Sequence, residues 1–256
     1  MRLDVYLVKN SLATGRDRAK EMILSGKVKV SGTVCLKPSL ETDGKTVEVL
    51  SDECYVGRGA YKIKKAAEEF SLKISEKICL DAGASTGGFT EYMLNCGAKK
   101  VYAVDVGHGQ LAEKLRCDER VVNMEGTDIR SLHLDEKCSF FACDVSFISL
   151  KQVLFPLYSL TDSFAEGVCL IKPQFEVGRA AVGKRGVVKD KKAQRKAAES
   201  VMEYARSVGF YISGLTFSPV TGQNGNIEFL LYLTKDDRKL VPDTEKVVNK
   251  AWEALL

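Results

Sequence analysis

The sequence predicts an α/β protein, a doubly wound parallel sheet preceded by a small α+β unit, and three observations carry that reading. From residue 77 onward, apolar runs of strand length alternate with amphipathic helical stretches. The first of these runs ends in a glycine-rich turn, Gly83-Ala84-Ser85-Thr86-Gly87-Gly88, that opens a helix. The first fifty residues have a different texture, with two short helical patterns, a tight turn and an excess of basic residues. Of 256 residues, 45% are hydrophobic and 28% charged, so the chain can bury a substantial core. No apolar run approaches the ~20 residues that a membrane span requires. The opening MRLDVYLVKN lacks the apolar centre of a signal peptide, so a cytoplasmic protein is expected.

Taken in order, Leu3, Tyr6 and Leu7 share one helix face, and Ala19, Met22 and Ile23 share another within a helix from Arg16 to Ser25. Gly26 stands where a C-terminal cap would. VKVSGTV alternates around Ser31-Gly32, which predicts a two-residue hairpin. A linker is expected within 45–60. A strand then reads from Ile78 to Leu80, followed by a helix carrying Phe89, Tyr92 and Met93, and by a strand from Val101 to Val104 ending in Asp105. Further strands are expected at 139–145, 167–173 and 227–233. A helix over 189–207 aligns Ala193, Ala197, Val201 and Tyr204. The tail begins a helix at the capping Asp243, with Val247, Val248, Ala251, Trp252 and Leu255 on one face. Pro156 and Pro219 read as ordinary breakers, and Phe141, Phe147 and Phe175 as core rather than base-stacking platforms.

Eight scattered cysteines without a C-x-x-C, and two histidines, argue against a zinc site, a disulfide framework and Ser-His-Asp chemistry, so no metal is expected. The net charge of +4 is unevenly placed. Residues 1–40 hold eight Lys/Arg against three acids, 56–65 hold four and no acid, and 172–198 hold nine against two. The last of these includes the glycine-punctuated loop 177–190. Such segregation suits a polyanion, because each phosphate neutralised releases counterions.

The glycine-rich turn is neither G-x-G-x-x-G nor a P-loop. It fits an adenosyl group without pyrophosphate, such as S-adenosylmethionine. Asp81, Gly83, Ser85, Thr86, Gly87 and Gly88 would form the wall of that site. Asp105 would accept the ribose hydroxyls, and Asp128, expected to end a third strand, would approach the adenine. Lys62, Asp144, Lys172 and Glu228 stand out as reactive candidates, three of them at or beside strand ends. Methyl transfer to a ribose 2′-hydroxyl needs such groups, because the hydroxyl is a weak acid and a poor nucleophile. An amine can take or steer its proton, and the carboxylates orient the amines.

Arg2-Leu3-Asp4 with Leu7, the basic helix from Gly15, and Gly26-Lys27-Val28-Lys29-Val30-Ser31-Gly32 together resemble the small RNA-binding domain named after ribosomal small-subunit protein four. DAGASTGGFT, AVDVGHGQL, DVSFISL, LIKPQFEVGR and GNIEFL resemble the TlyA (haemolysin A) family, whose methyltransferase half is related to the FtsJ/RrmJ ribose methyltransferases. The resemblance implies an RNA-binding domain over 1–55 and a Rossmann-like S-adenosylmethionine-dependent methyltransferase domain over 56–256. It implies a Lys-Asp-Lys-Glu tetrad on Lys62, Asp144, Lys172 and Glu228, although the family's S-R-G-G-x-K-L stands here as Gly57-Arg58-Gly59-Ala60-Tyr61-Lys62-Ile63. It also implies 2′-O-methylation of cytidines in ribosomal RNA, with ribosomal RNA or subunits as partner and no obligate protein partner. Arg2, Arg16, Arg18, Lys20, Lys27, Lys29, Arg58, Arg179, Lys184 and Arg185 are the candidate RNA contacts. A cytolysin and a noncatalytic ribosome-assembly factor are the alternatives.

Overall fold

The computed structural model describes residues 1–13, 15–24, 26–49, 55–178, 181–222, 224–237 and 240–255. The chain forms two compact units, Met1–Cys54 and Tyr55–Leu256.

In the first unit, helices α1 (Leu3–Lys9) and α2 (Arg16–Leu24) precede strands β1 (Val28–Val30), β2 (Thr33–Val34) and β3 (Val47–Val49), which pair in the order β2-β1-β3. Leu3, Leu7, Ala19, Met22, Ile23, Val28 and Val30 form its core. Ser31 and Gly32 both take positive φ, 51° and 79°, as a two-residue hairpin between Val30 and Thr33 demands. Within the 45–60 window expected to hold the linker, Val47–Val49 pairs along β1, and the two units divide between Cys54 and Tyr55. Residues 50–54 of that window lie outside the described ones. Asp4 is fully buried and accepts hydrogen bonds from Arg2 and Arg16. The Arg2 guanidinium, and then that of Arg16, hold its carboxyl well below the usual carboxylate range, against the opposing effect of burial.

The second unit is a seven-stranded sheet. Its elements run α3 (Gly59–Phe70), β4 (Ile78–Ala82), α4 (Gly88–Asn95), β5 (Lys100–Asp105), α5 (Glu113–Arg116), β6 (Val121–Glu125), β7 (Cys138–Cys143), α6 (Lys151–Leu160), β8 (Thr161–Ile171), α7 (Pro173–Glu176), α8 (Lys191–Val208), β9 (Tyr211–Phe217), β10 (Phe229–Thr234) and α9 (Thr244–Leu255). The strand order is β6-β5-β4-β7-β8-β10-β9. Pairings are parallel except at β10, which runs antiparallel to both neighbours. The expectation of a parallel sheet therefore holds for all strands but this one. Side chains alternate across the pleat. Leu80, Ala82, Phe141 and Cys143 point to the face covered by α6, α8 and α9, whereas Cys79, Phe140 and Ala142 point to the face covered by α3 and α4.

Two expectations about breakers and core residues are corrected. Pro156 lies inside α6, where buried Val153, Leu154, Leu157 and Leu160 hold the helix on the sheet. Packing there outweighs the loss of one backbone donor. Phe141 is core, but Phe147 is 88% exposed with φ of 68°, and Phe175 is half-buried beside it, ring centroids 5.4 Å apart. No helix among the described residues is long and apolar enough to cross a membrane.

Candidate active site

Four distant residues meet at one edge of the sheet. Asp144 and Lys172 are the first residues beyond β7 and β8, and Glu228 is the last before β10. Because β10 runs antiparallel, its start lies at the edge where β7 and β8 end. Lys62 comes down to this edge from α3. Its Nζ lies 2.9 Å from Glu228 Oε2 and 3.3 Å from Asp144 Oδ2, and Lys172 Nζ lies 2.6 Å from Asp144 Oδ1. Lys62, Lys172 and Glu228 are at most 9% exposed. Burial pushes the Lys62 ammonium down, but the carboxylates of Asp144 and Glu228 outweigh it and leave the group above its ordinary value. Lys62 is thus a fixed cation between two carboxylates. Lys172 faces Asp144 and donates to the hydroxyl of Ser146 at 2.6 Å. Sequence reasoning missed Ser146, although a hydroxyl two residues past the strand-end acid was a signal of the same kind.

The glycine-rich turn links β4 to α4. Gly83 and Gly87 have φ of +85° and +93°. A Cβ on Gly83 would stand 2.7 Å from the Asp144 carbonyl oxygen, and one on Gly87 would stand 2.2 Å from a Leu115 methyl. These two glycines are therefore required by the chain's own packing. Helix α3 begins against the same turn through small residues. A Cβ on Gly88 would reach the Gly57 carbonyl oxygen at 3.2 Å, and one on Gly57 would reach Thr86 Oγ1 at 2.4 Å.

The acids of this edge divide by partner. Asp105 ends β5 and accepts from the Ser85 and Gly107 amides, at 2.8 Å each, so it ties two loops together. Asp81, wholly buried, accepts from Thr90 Oγ1 at 2.6 Å, while its Oδ1 has no hydrogen-bond partner among the described residues. Burial pushes its carboxyl up to about 7 against the Thr90 hydrogen bond. Asp128 does not end a strand, which is a correction, because β6 stops at Glu125. It caps a short 3₁₀ turn and is clasped by Arg130 at 2.6 Å. Glu125, unremarked in the sequence, holds the amides of Gln110 and Leu111. Those backbone amides, with Asn123, keep its carboxyl down at about 2. Glu91, equally unremarked, accepts from the Val56 amide at 2.6 Å and pairs with Lys114.

The candidate RNA contacts have varied surroundings. Arg2 and Arg16 fan out from Asp4, Arg18 pairs with Glu21 and Lys20 with Asp17. Lys27 and Lys29 are half-buried, while Arg58, Lys184 and Arg185 are exposed. Arg179 lies outside the described residues.

A mostly parallel sheet with a glycine-rich first turn, acids at the carboxyl ends of its strands and a buried four-residue charge cluster beside them defines a Rossmann-like methyltransferase. A Listeria monocytogenes chain described as an S-adenosylmethionine-dependent methyltransferase shares this fold, with a TM-score of 0.52 and 16% identity, over 69% of this chain and 100% of that one. Residues 55–235 match the FtsJ-like methyltransferase family and residues 1–46 the S4 domain. The chain belongs to the TlyA family of FtsJ-like methyltransferases. It is 42% identical to the 16S/23S rRNA (cytidine-2′-O)-methyltransferase TlyA of Mycobacterium tuberculosis, over 98% of this chain and 96% of that protein. A Streptococcus thermophilus structure that carries the hemolysin name superposes with a TM-score of 0.77 at 40% identity, over 99% of this chain and 96% of that one.

Proposed function

We propose that this protein transfers a methyl group from S-adenosylmethionine to cytidine 2′-hydroxyls of ribosomal RNA, acting on ribosomal subunits in the cytoplasm. The observation that carries the reading is the buried convergence of Lys62, Asp144, Lys172 and Glu228 at the carboxyl edge of the sheet. The residues present fit the donor. Asp81 Oδ1 is an unspent acceptor beneath the turn, and Asp105 keeps lone pairs beyond its two amide bonds. Asp81, Gly83, Ser85, Thr86, Gly87, Gly88 and Asp105 would hold it. Asp128 would contribute through a face not closed by Arg130. When bound, S-adenosylmethionine supplies an electrophilic methyl carbon on a sulfonium.

The chain's own residues do the rest. Lys62, held cationic by two carboxylates, points an N–H at the 2′-oxygen and fixes its lone pair for in-line attack. Lys172, the other amine, takes the hydroxyl proton as the oxygen–carbon bond forms, with Asp144 and Ser146 steering its Nζ. Glu228 keeps Lys62 from swinging away. The segment 1–55 grips RNA through its basic helix and hairpin, while 56–256 holds the chemistry. Phe147, exposed beside Asp144, offers an aromatic face to a base. Incubating the protein with labelled donor and unmodified ribosomal subunits, then mapping the product by mass, should place the methyl on a cytidine ribose. Lys172→Ala should lower the rate by roughly 100- to 10,000-fold while calorimetry shows unchanged donor affinity. Full turnover by this variant would end Lys172's role as proton acceptor.

A further inference from the structure

Loop 181–190 carries two basic residues on a tight turn. The Gly186 amide donates to the Gly183 carbonyl at 2.8 Å and the Gly183 amide to the Val187 carbonyl at 3.0 Å, which leaves Lys184 and Arg185 exposed at the tip. A glycine-flanked tip of this kind would sample many conformations if nothing held its base. Its base is held by Asn226, which is 2% exposed. Asn226 Oδ1 accepts from the Val188 amide at 3.0 Å, and Asn226 Nδ2 donates to the Gly186 carbonyl at 2.8 Å. Val188, itself buried, is held from its other end by Gln194, whose Nε2 donates to the Val188 carbonyl at 2.8 Å.

The same Asn226 is joined to the tetrad. Its backbone carbonyl accepts from the Gly222 amide at 2.9 Å, and Gly222 lies so close to Glu228 that a Cβ there would stand 2.6 Å from Glu228 Oε1. Gly222 therefore lies against the carboxylate that holds Lys62, and Asn226, hydrogen-bonded to Gly222, also secures the basic tip. A primary amide suits the position because it offers a donor and an acceptor on one short planar group. Aspartate would put an acceptor against the Gly186 carbonyl, and alanine would leave both backbone groups buried and unpaired.

We infer that Asn226 is a positioning residue that fixes Lys184 and Arg185 as a phosphate clamp at the rim of the reaction centre. This rests on the proposed transfer to RNA. Two lysine or arginine contacts correspond to a change of about two in the slope of log affinity against log salt. The test compares full-length wild type, Asn226→Asp, the pair Lys184→Ala/Arg185→Ala, and all three changes together, using unmodified ribosomal RNA and calorimetry of the donor. Asn226→Asp should raise the KM for RNA about tenfold and flatten the salt slope toward that of the tip pair, with donor affinity kept. The triple variant should be no worse than the tip pair, because both changes remove the same contact. A purely structural role would instead lower donor affinity and RNA affinity together. An Asn226→Asp protein with wild-type KM and salt slope, or penalties that multiply in the triple variant, would overturn the assignment.

Should Asn226→Asp not fold, Gln194→Leu frees the other side of Val188 and should give the same RNA-specific loss; its absence there overturns the anchoring. A tip pair that behaves as wild type refutes the clamp while methyl transfer stands. Loss of methyl transfer to RNA in the wild type itself, with the salt slope measured by binding alone, separates failure of the proposed function from failure of the clamp.

Discussion

Asp81 is the residue at which stability and function pull apart. Its carboxyl sits at about 7 inside the fold, because burial opposes the charge more strongly than the Thr90 hydrogen bond favours it. Between about pH 4 and 7 the unfolded chain ionises this group while the fold keeps it protonated, so stability falls as pH rises across that window. Above about 7 the loss is complete. Asp81→Asn should flatten thermal melting temperature against pH between 4 and 7, raise it at pH 8, and leave it near wild type at pH 4. The same variant should weaken donor binding at least tenfold, because the unspent oxygen is gone. Melts that keep the wild-type pH slope would remove Asp81 as its source. The tetrad residues were legible because each stands in a distinctive string, three of them at a strand boundary and Lys62 within the helix before the first strand of the large sheet. Ser146, Glu91, Glu125 and Asn226 were not. Their significance lies in partners 26 to 38 residues away in three cases, Lys172, Val56 and Val188, and 14 or 15 residues away for Glu125 with Gln110 and Leu111.

Strand direction decides whether the four side chains meet. In a wholly parallel sheet Glu228, standing before its strand, would lie at the edge opposite Asp144 and Lys172. The reversal of β10 brings it back, and hydropathy alone carries no sign of strand direction. Runs such as Ile78–Ala82 and Cys138–Cys143 were legible because strands buried on both faces read as continuous apolar stretches. Strand β9 was not, because Tyr-Ile-Ser-Gly-Leu-Thr-Phe mixes polar residues with a glycine. The structure supplies the reason for that glycine. A Cβ on Gly214 would stand 2.5 Å from the Phe70 ring, which is stacked on Tyr232 at 5.2 Å. Gly214→Ala should force that stack apart and cost about 1–3 kcal/mol, seen as a melting temperature several degrees lower. An unchanged melt would mean that α3 yields at no cost.

Across the whole molecule, charge is sorted by task. The first unit gathers two of its three arginines around one buried carboxylate. Asp4 holds Arg2 and Arg16 in place while leaving their side chains 45% and 59% exposed. Removing both arginines should lower RNA affinity and reduce the salt slope by about two, with donor affinity unaffected. An unaltered slope would take them out of the interface. The tetrad is sorted differently, with two amines set against two carboxylates at 2.6 to 3.3 Å. Opposed groups packed this closely exert little pull on a distant polyanion. Capture falls to the surface cations that salt screens, while the water-poor quartet is largely shielded from the ions in solution. Ionic strength therefore governs how often a substrate arrives and leaves almost untouched the single-turnover rate of one already seated.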